Sequence, residues 1–248
     1  MLFCRMAANR LFSVLLILFH LFSFVSCTTK GVLPAEPVHP DDPAIVPLSR
    51  SVKWWIQRHN DRLNVKYNQK IIFIGDSITQ GWEYSELWAE LNQQYNFRIT
   101  NLGFSGDQTQ HVIWRLENGE FPPGINPEYV VLMIGTNNKH EPKSIAAGIA
   151  KIIMLIHNAS PATKIILLSL LPCGTGNDDQ NTIKNNMVNT MIKKYNGYCN
   201  VKYYDLGQFY VDKKGQLIEK LFTDSLHLSA EGYALWREKL TEMIDTKR

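Results

Sequence analysis

A chain of 248 residues with 45% hydrophobic content is long enough for one globular domain with a substantial core, and no low-complexity block divides it. Its 26 basic and 23 acidic residues leave a net charge of only +3 and are spread along the chain, which excludes a nucleic-acid footprint. Four cysteines, Cys4, Cys27, Cys173 and Cys199, are too few for a disulfide scaffold and show no CxxC or Cys/His spacing, so no metal site is expected.

Residues 1–27 carry Arg5 and Arg10, then an apolar run from Leu11 to Val25, then Ser26-Cys27. A basic start, an apolar stretch shorter than the roughly 20 residues of a spanning helix, and a small residue before a cleavage point read as a secretory signal. The expectation is an exported protein: periplasmic, secreted or held at a membrane. Phe24-Val25-Ser26-Cys27 is similar to a bacterial lipoprotein signal, in which the cysteine would be acylated. Phenylalanine stands where leucine is usual, so ordinary cleavage and retention as a signal anchor stay open. Residues 28–48 hold Pro34, Pro37, Pro40, Pro43 and Pro47 with little apolar periodicity, which predicts a semi-extended tether ahead of a domain at 49–248. Asp41 and Asp42 read as solvated acids in that tether.

Between Ser49 and Tyr67, apolar residues at Val52, Trp55, Ile56, Leu63 and Val65 alternate with charges, which predicts an amphipathic helix with His59 at its surface. The run Ile71-Ile72-Phe73-Ile74 reads as a buried parallel strand and stops at Gly75-Asp76-Ser77 before a helix start. Ser77 then lies outside the carboxyl end of a strand, where open α/β sheets keep their ligand crevice. Taken alone, Asp-Ser after a strand is also ordinary turn and cap chemistry. A serine nucleophile needs a base, a group that orients the base, and donors for the oxyanion, so the rest of the chain has to supply them.

A helix is predicted over residues 84–95, and Phe97–Leu102 reads as a second strand broken by Gly103-Phe104-Ser105-Gly106-Asp107. Gly103 at this turn is a candidate oxyanion donor through its amide, although a Gly-x-x-Gly turn alone is more often geometry. A helix through His111, Val112, Trp114 and Leu116 follows. Tyr129–Ile134 forms a third strand, stopped by Gly135-Thr136-Asn137-Asn138, whose two carboxamides offer neutral donors to the same crevice; the competing reading is a turn. Helices over residues 145–157 and 181–195 and strands over 164–170 and 201–206 complete the alternation. Cys173 and Cys199 flank the later helix, which leaves a disulfide open. Five strands alternating with helices predict a three-layer α/β/α doubly wound sandwich on a five-stranded parallel sheet, flavodoxin-like in class. Near the end, Asp224-Ser225-Leu226-His227 precedes a helix capped at Ser229, and the spacing lets Asp224 hold one nitrogen of His227 while the other faces a serine.

Gly75-Asp76-Ser77, Gly103, Gly135-Thr136-Asn137 and Asp224-x-x-His227 resemble, in order, the four sequence blocks of the SGNH, or GDSL-type, hydrolases, over about residues 50–245. Residues 101–107, 111–120 and 135–138 look like the branch formed by the catalytic subunits of platelet-activating-factor acetylhydrolase and their bacterial relatives. The resemblance implies Ser77 as nucleophile, His227 as general base and then acid, and Asp224 as its orienting group. It also implies an oxyanion hole from the Ser77 amide, the Gly103 amide and the Asn137 side chain, with Asp76 bracing the nucleophile turn. No metal or organic cofactor is implied, and the related subunits form dimers, so a homodimer is expected. Gly-Asp-Ser-Ile-Thr on the first strand, in place of Gly-x-Ser-x-Gly, sets the chain apart from the α/β-hydrolases.

The leading expectation is an esterase for short acyl groups, acetyl first among them, on an acetylated sugar or an acetyl-phospholipid. A lysophospholipase or lipase is the second reading, and a silent binding module on the same fold the third. Trp82, Trp88 and Phe104 read as core residues, although aromatics there could also line an acyl pocket or a sugar subsite.

Overall fold

The computed structural model describes residues 33–63, 68–96 and 98–245. The leader with Cys27, the start of the Pro-rich stretch, the expected end of the first helix at Tyr67 and the expected strand start at Phe97 lie outside the described residues.

Five short strands, β1 (Ile71–Gly75), β2 (Ile99–Gly103), β3 (Tyr129–Met133), β4 (Lys164–Leu168) and β5 (Val201–Tyr204), form one parallel sheet in the order β2-β1-β3-β4-β5. The strands sit deep: every residue of β1 and β3 is buried, as their unbroken apolar runs require when helices cover both faces. The order reverses at β1. Right-handed crossovers then place the β1-to-β2 connection on one face and the later connections on the other. Accordingly α3 (Glu86–Gln94) shares a face with α7 (Ala230–Asp245), while α5 (Pro142–Ala159) packs between α4 (Thr109–Arg115) and α6 (Gln180–Ile192). On the first face Phe73 meets Trp82 at 6.1 Å and Trp88 at 5.8 Å, and Trp82 meets Trp236 of α7 at 5.4 Å. Trp82 and Phe104 are fully buried, so both belong to the core.

Three expectations change. The Pro-rich stretch is docked, not loose, over its last residues. Ala44 is fully buried, its carbonyl accepts from Thr109 Oγ1 at 2.8 Å, Asp42 accepts from Ser144 Oγ at 2.6 Å, and Leu48 donates to the Gln110 carbonyl at 3.2 Å. Proline removes donors but leaves carbonyls, which here find partners on α4 and α5. His59 of α1 (Lys53–Arg62) is buried, not a surface residue, because its Nδ1 bonds Glu120 at 2.8 Å across 61 positions of sequence. Cys173 and Cys199 are both buried thiols and do not form a disulfide.

Candidate active site

The order reversal at β1 opens a crevice between the carboxyl ends of β1 and β3, the place where such sheets bind ligands. Ser77 follows β1 and opens the four-residue helix α2 (Ser77–Gln80); Asn137 lies in the turn after β3. Asp76 caps α2 by accepting from the Ile78 N–H at 3.0 Å. Burial drives the Asp76 carboxyl up, to about 7, against the lowering effect of the Ile78 bond; Asp107 pushes the same way and His227 opposes it.

His227 and Asp224 arrive on the loop before α7. His227 Nε2 lies 3.0 Å from Ser77 Oγ, and its Nδ1 lies 2.8 Å from Asp224 Oδ2. Asp224 Oδ1 also accepts from the backbone N–H groups of His227, at 2.6 Å, and Leu226, at 2.8 Å. These bonds, the His227 backbone bond first, hold the Asp224 carboxyl well below the usual carboxylate range, at about 2, so it stays ionised at neutral pH. The three residues read from the sequence as a unit are therefore brought together, 150 positions apart, in one hydrogen-bonded line. The loop is fixed behind them by Ser229, which donates to the Lys220 carbonyl at 2.6 Å and accepts from the Gly232 N–H at 3.2 Å.

The donor side departs from expectation. Gly103 is not an open donor: its N–H is given to Asn101 Oδ1 at 2.7 Å, and Asn101 Nδ2 is in turn tied to the Thr79 carbonyl at 2.8 Å. The glycine is required there for close packing, since a Cβ would stand 2.3 Å from the Gln80 nitrogen. Gly106, three residues on, has φ +75°, a left-handed conformation that favours glycine, and among the described residues nothing accepts from its N–H. Its neighbour Ser105 lines the same cleft as Ser77 and His227, and the Asp107 carbonyl accepts from Asn137 Nδ2 at 3.0 Å. Asn137 keeps a second amide hydrogen, whereas Asn138 is turned away from the crevice. Asn138 is fully buried and braces the start of α4, accepting from the Thr109 N–H at 3.1 Å.

Beneath the Gly106 turn lies a charged cluster that the sequence reading missed. Arg115, Asp107 and Glu120 all have fully buried side chains. Arg115 Nε bonds Asp107 Oδ2 at 2.9 Å, its Nη1 bonds Glu120, and its Nη2 donates to the Leu102 carbonyl at 3.2 Å. Trp55 Nε1 donates to Asp107 Oδ1 at 2.7 Å, and His59 reaches Glu120. Burial still pushes Asp107 up despite these partners. Burial, helped by Arg50 and Arg115, pulls His111 down to about 4, and a neutral His111 Nδ1 accepts from the Gln108 N–H at 3.0 Å. Among the described residues no group of three His, Cys, Asp or Glu side chains is placed to hold a metal ion.

Ser77 and His227 open on a cleft of about 970 Å³ between α3 and α7, lined mainly by apolar surface from Leu87, Leu228, Ala230, Tyr233 and Ala234. Fold and site together define a doubly wound α/β protein with a Ser–His–Asp line at its sheet crevice. The model of the GDSL-like lipase/acylhydrolase family matches residues 73–235, and the chain belongs to that family as a carboxylic ester hydrolase. Platelet-activating factor acetylhydrolase IB subunit alpha2 of Rattus norvegicus is 34% identical over 213 residues, covering 82% of this chain and 90% of the relative. The alpha1 subunit of Mus musculus is 36% identical over 166 residues, or 66% of this chain and 70% of the relative. Among solved structures, a GDSL-like lipase from Bacteroides thetaiotaomicron shares the fold with a TM-score of 0.64 at 20% identity, over 79% of this chain and 98% of that one. An acetylxylan esterase mutant from Geobacillus stearothermophilus shares it with a TM-score of 0.56 at 18% identity, over 71% and 94%.

Proposed function

We propose that the protein is a serine esterase releasing short acyl groups, acetyl foremost, and the observation that carries this reading is the Ser77–His227–Asp224 line at 3.0 and 2.8 Å. Ser77 Oγ bonds to the ester carbonyl carbon as its proton passes to His227 Nε2, and the carbonyl electrons move onto oxygen. The Ser77 N–H, the second Asn137 amide hydrogen and the Gly106 N–H, in place of Gly103, receive that negative charge. Collapse breaks the bond to the alcohol oxygen, which takes the proton from His227. Water then repeats the sequence on the acyl-serine and releases the acid. Asp224, ionised throughout, keeps the His227 Nδ1 proton in place and balances the imidazolium.

The names of the mammalian relatives, acetylhydrolases of platelet-activating factor, support acetyl as the acyl group. A second reading, longer acyl chains, is favoured by the size and apolar lining of the cleft. A p-nitrophenyl ester series from acetyl to palmitoyl, with Ser77→Ala as control, separates them. A Ser77-dependent maximum at acetyl or butyryl is expected; a maximum at long chains transfers the assignment to lipase, and full activity in Ser77→Ala refutes the nucleophile. The leader at residues 1–27 supports export, with Cys27 as the lipid-bearing residue; radiolabelled palmitate retained by the parent and lost in Cys27→Ala tests it.

A further inference from the structure

Beside the cleft that holds Ser77 lies a second hollow of about 560 Å³, and the two share Gln80, Tyr84 and Ser105 as a common wall. Trp54, Gln57 and Asp61 form its far side. Two large rings face this space. Trp54 is 41% exposed, while its neighbour Trp55 is 1% exposed and Trp82 and Trp236 are fully buried; Tyr84 is 78% exposed. A single exposed aromatic needs no explanation. Two of them lining one hollow that shares a wall with the Ser77 cleft form a candidate binding surface.

The charges around the hollow cancel. Arg58 Nη1 and Arg62 Nη2 both bond Glu83, at 2.9 and 2.7 Å, Arg58 Nε donates to the Gly103 carbonyl at 2.9 Å, Arg58 Nη2 and Arg62 Nε are buried out of reach of the hollow, and Asp61 accepts from Gln57 at 2.9 Å. Arg58 and Arg62 stand against Glu83 and Asp61, and Arg50 lies 3.5 Å from Asp107, so no net charge is left to draw a phosphate, while the Arg50 guanidinium already over Trp54 and the two lining arginines repel a quaternary ammonium group. The remaining chemistry is ring faces with hydrogen-bonding groups at their edges. That pairing fits a neutral sugar ring, whose C–H face lies on an aromatic surface while its hydroxyls reach polar side chains. The Arg50 guanidinium sits over one face of Trp54 at 5.5 Å, which fixes the indole and leaves its other face. Tyr84 is fixed as well: Gln80 Nε2 donates to its hydroxyl at 2.9 Å, while Gln80 Oε1 accepts from the Ser105 N–H at 2.7 Å. Gln80 ends the helix that Ser77 begins, so the platform is built onto the nucleophile's own element.

We propose that this hollow is a saccharide subsite, with Trp54 and Tyr84 carrying the sugar ring of the alcohol part of the ester. The proposal rests on the esterase reading and deepens it, naming a neutral glycan as the substrate's alcohol, in preference to a phospholipid headgroup. The probes are O-acetylated xylotriose and cellotriose, an acetylated glycerophosphocholine, and p-nitrophenyl acetate, each given to the parent and to Trp54→Ala/Tyr84→Ala. The double variant is expected to lose about tenfold or more in kcat/KM on an acetylated trisaccharide, through KM, as the loss of two ring contacts implies. Trp54→Ala alone, which leaves the wall shared with the Ser77 cleft intact, keeps the parent's kinetics on p-nitrophenyl acetate and shows part of the trisaccharide loss. Equal losses on both substrates in Trp54→Ala, unchanged turnover of both trisaccharides, or a parent that cleaves the acetyl-phospholipid and neither trisaccharide would each overturn the subsite. Calorimetric titration of Ser77→Ala with acetylated trisaccharide, with and without the two ring substitutions, reads the subsite without turnover. Binding that disappears with the rings supports the subsite even if the nucleophile assignment fails, and absence of binding in Ser77→Ala overturns it even if that assignment stands.

Discussion

Replacing Arg115 by methionine removes the one cation that joins two buried carboxylates. The side chain is fully buried and spans Asp107, Glu120 and the Leu102 carbonyl, so methionine can fill the space but strands all three. Asp107 keeps the Trp55 N–H at 2.7 Å and the distant Arg50 at 3.5 Å; Glu120 keeps His59 at 2.8 Å. Breaking a buried ion pair from one side costs about 3–5 kcal/mol, and the orphaned carbonyl lies inside that range of effects. Against a total stability of about 5–15 kcal/mol, the variant retains a narrow margin. With a urea dependence of about 2 kcal/mol per molar, the unfolding midpoint falls by about 2 M at pH 8. The pH dependence gives the sign. Burial raises the Asp107 carboxyl, and Arg115 is the largest influence opposing it, so the substitution raises it further. A raised carboxyl binds its proton more tightly folded than unfolded, and stability is recovered as pH falls toward the unfolded value near 4. The gap between parent and variant therefore narrows from pH 8 to pH 5. A midpoint shift below about 0.5 M, or an equal gap at both pH values, would refute the claim that the cluster is held by Arg115.

Asn137→Ala should lower kcat on p-nitrophenyl acetate by about 10²–10³ while KM changes little, since the lost donor acts on charge that develops in the transition state. Asp76→Asn keeps an acceptor for the Ile78 N–H but removes a carboxyl raised to about 7. In the parent, that raised carboxyl makes stability fall as pH climbs from about 4 to about 7 and stay level above. Urea midpoints of Asp76→Asn across this window should lack that slope. Gly103→Ala puts a Cβ 2.3 Å from the Gln80 nitrogen, so α2 must shift with Ser77. Thermal unfolding should show a loss of about 1–3 kcal/mol, and esterase activity should fall beyond what the unfolded fraction explains.

Local signals carry most of what is legible in the sequence. The apolar runs of β1 and β3 are buried on both faces, and such runs announce themselves in any window of five residues. Asp224 and His227 were legible for the same reason: their bonds to each other close within one turn of chain. What failed was decided at long range. Between Gly103 and Gly106 the sequence offers no preference until the Asn101 side chain is seen to occupy the first amide, and Asn101 is aimed by Thr79. The available signal was a glycine at the tightest point of the turn, just before an acid, where a positive φ is most needed. His59 sits among Arg58, Asn60 and Asp61 and reads as surface, because its partner Glu120 belongs to another element. Trp55 takes its expected place on the buried face of α1, but Val52, Ile56 and Leu63, expected beside it, are 40%, 45% and 43% exposed, because the helix is held by the distant partners Asp107 and Glu120 through Trp55 and His59.

The two halves of the site are built on opposite principles, and the chemistry explains why. His227 and Asp224 are 42% and 56% exposed at the side chain, and apart from the contact with Ser77 the bonds that aim the histidine ring close within residues 223–227. In the proposed cycle the histidine takes and returns a proton twice and must admit a water for deacylation, so contact with solvent serves it. Local bonds to an ionised aspartate orient it without a buried core. Oxyanion donors have the reverse requirement: they must be in position before charge appears, since any reorganisation during the reaction costs rate. The Gly106-Asp107 turn, whose Asp107 carbonyl accepts from Asn137, is seated on the Arg115 cluster, a set of buried side chains drawn from positions 55 to 120. Buried charge is a poor way to gain stability, yet it resists displacement because every small movement breaks a desolvated pair. A rigid donor side facing a solvated proton shuttle is the arrangement that acyl transfer with a water-dependent second half requires.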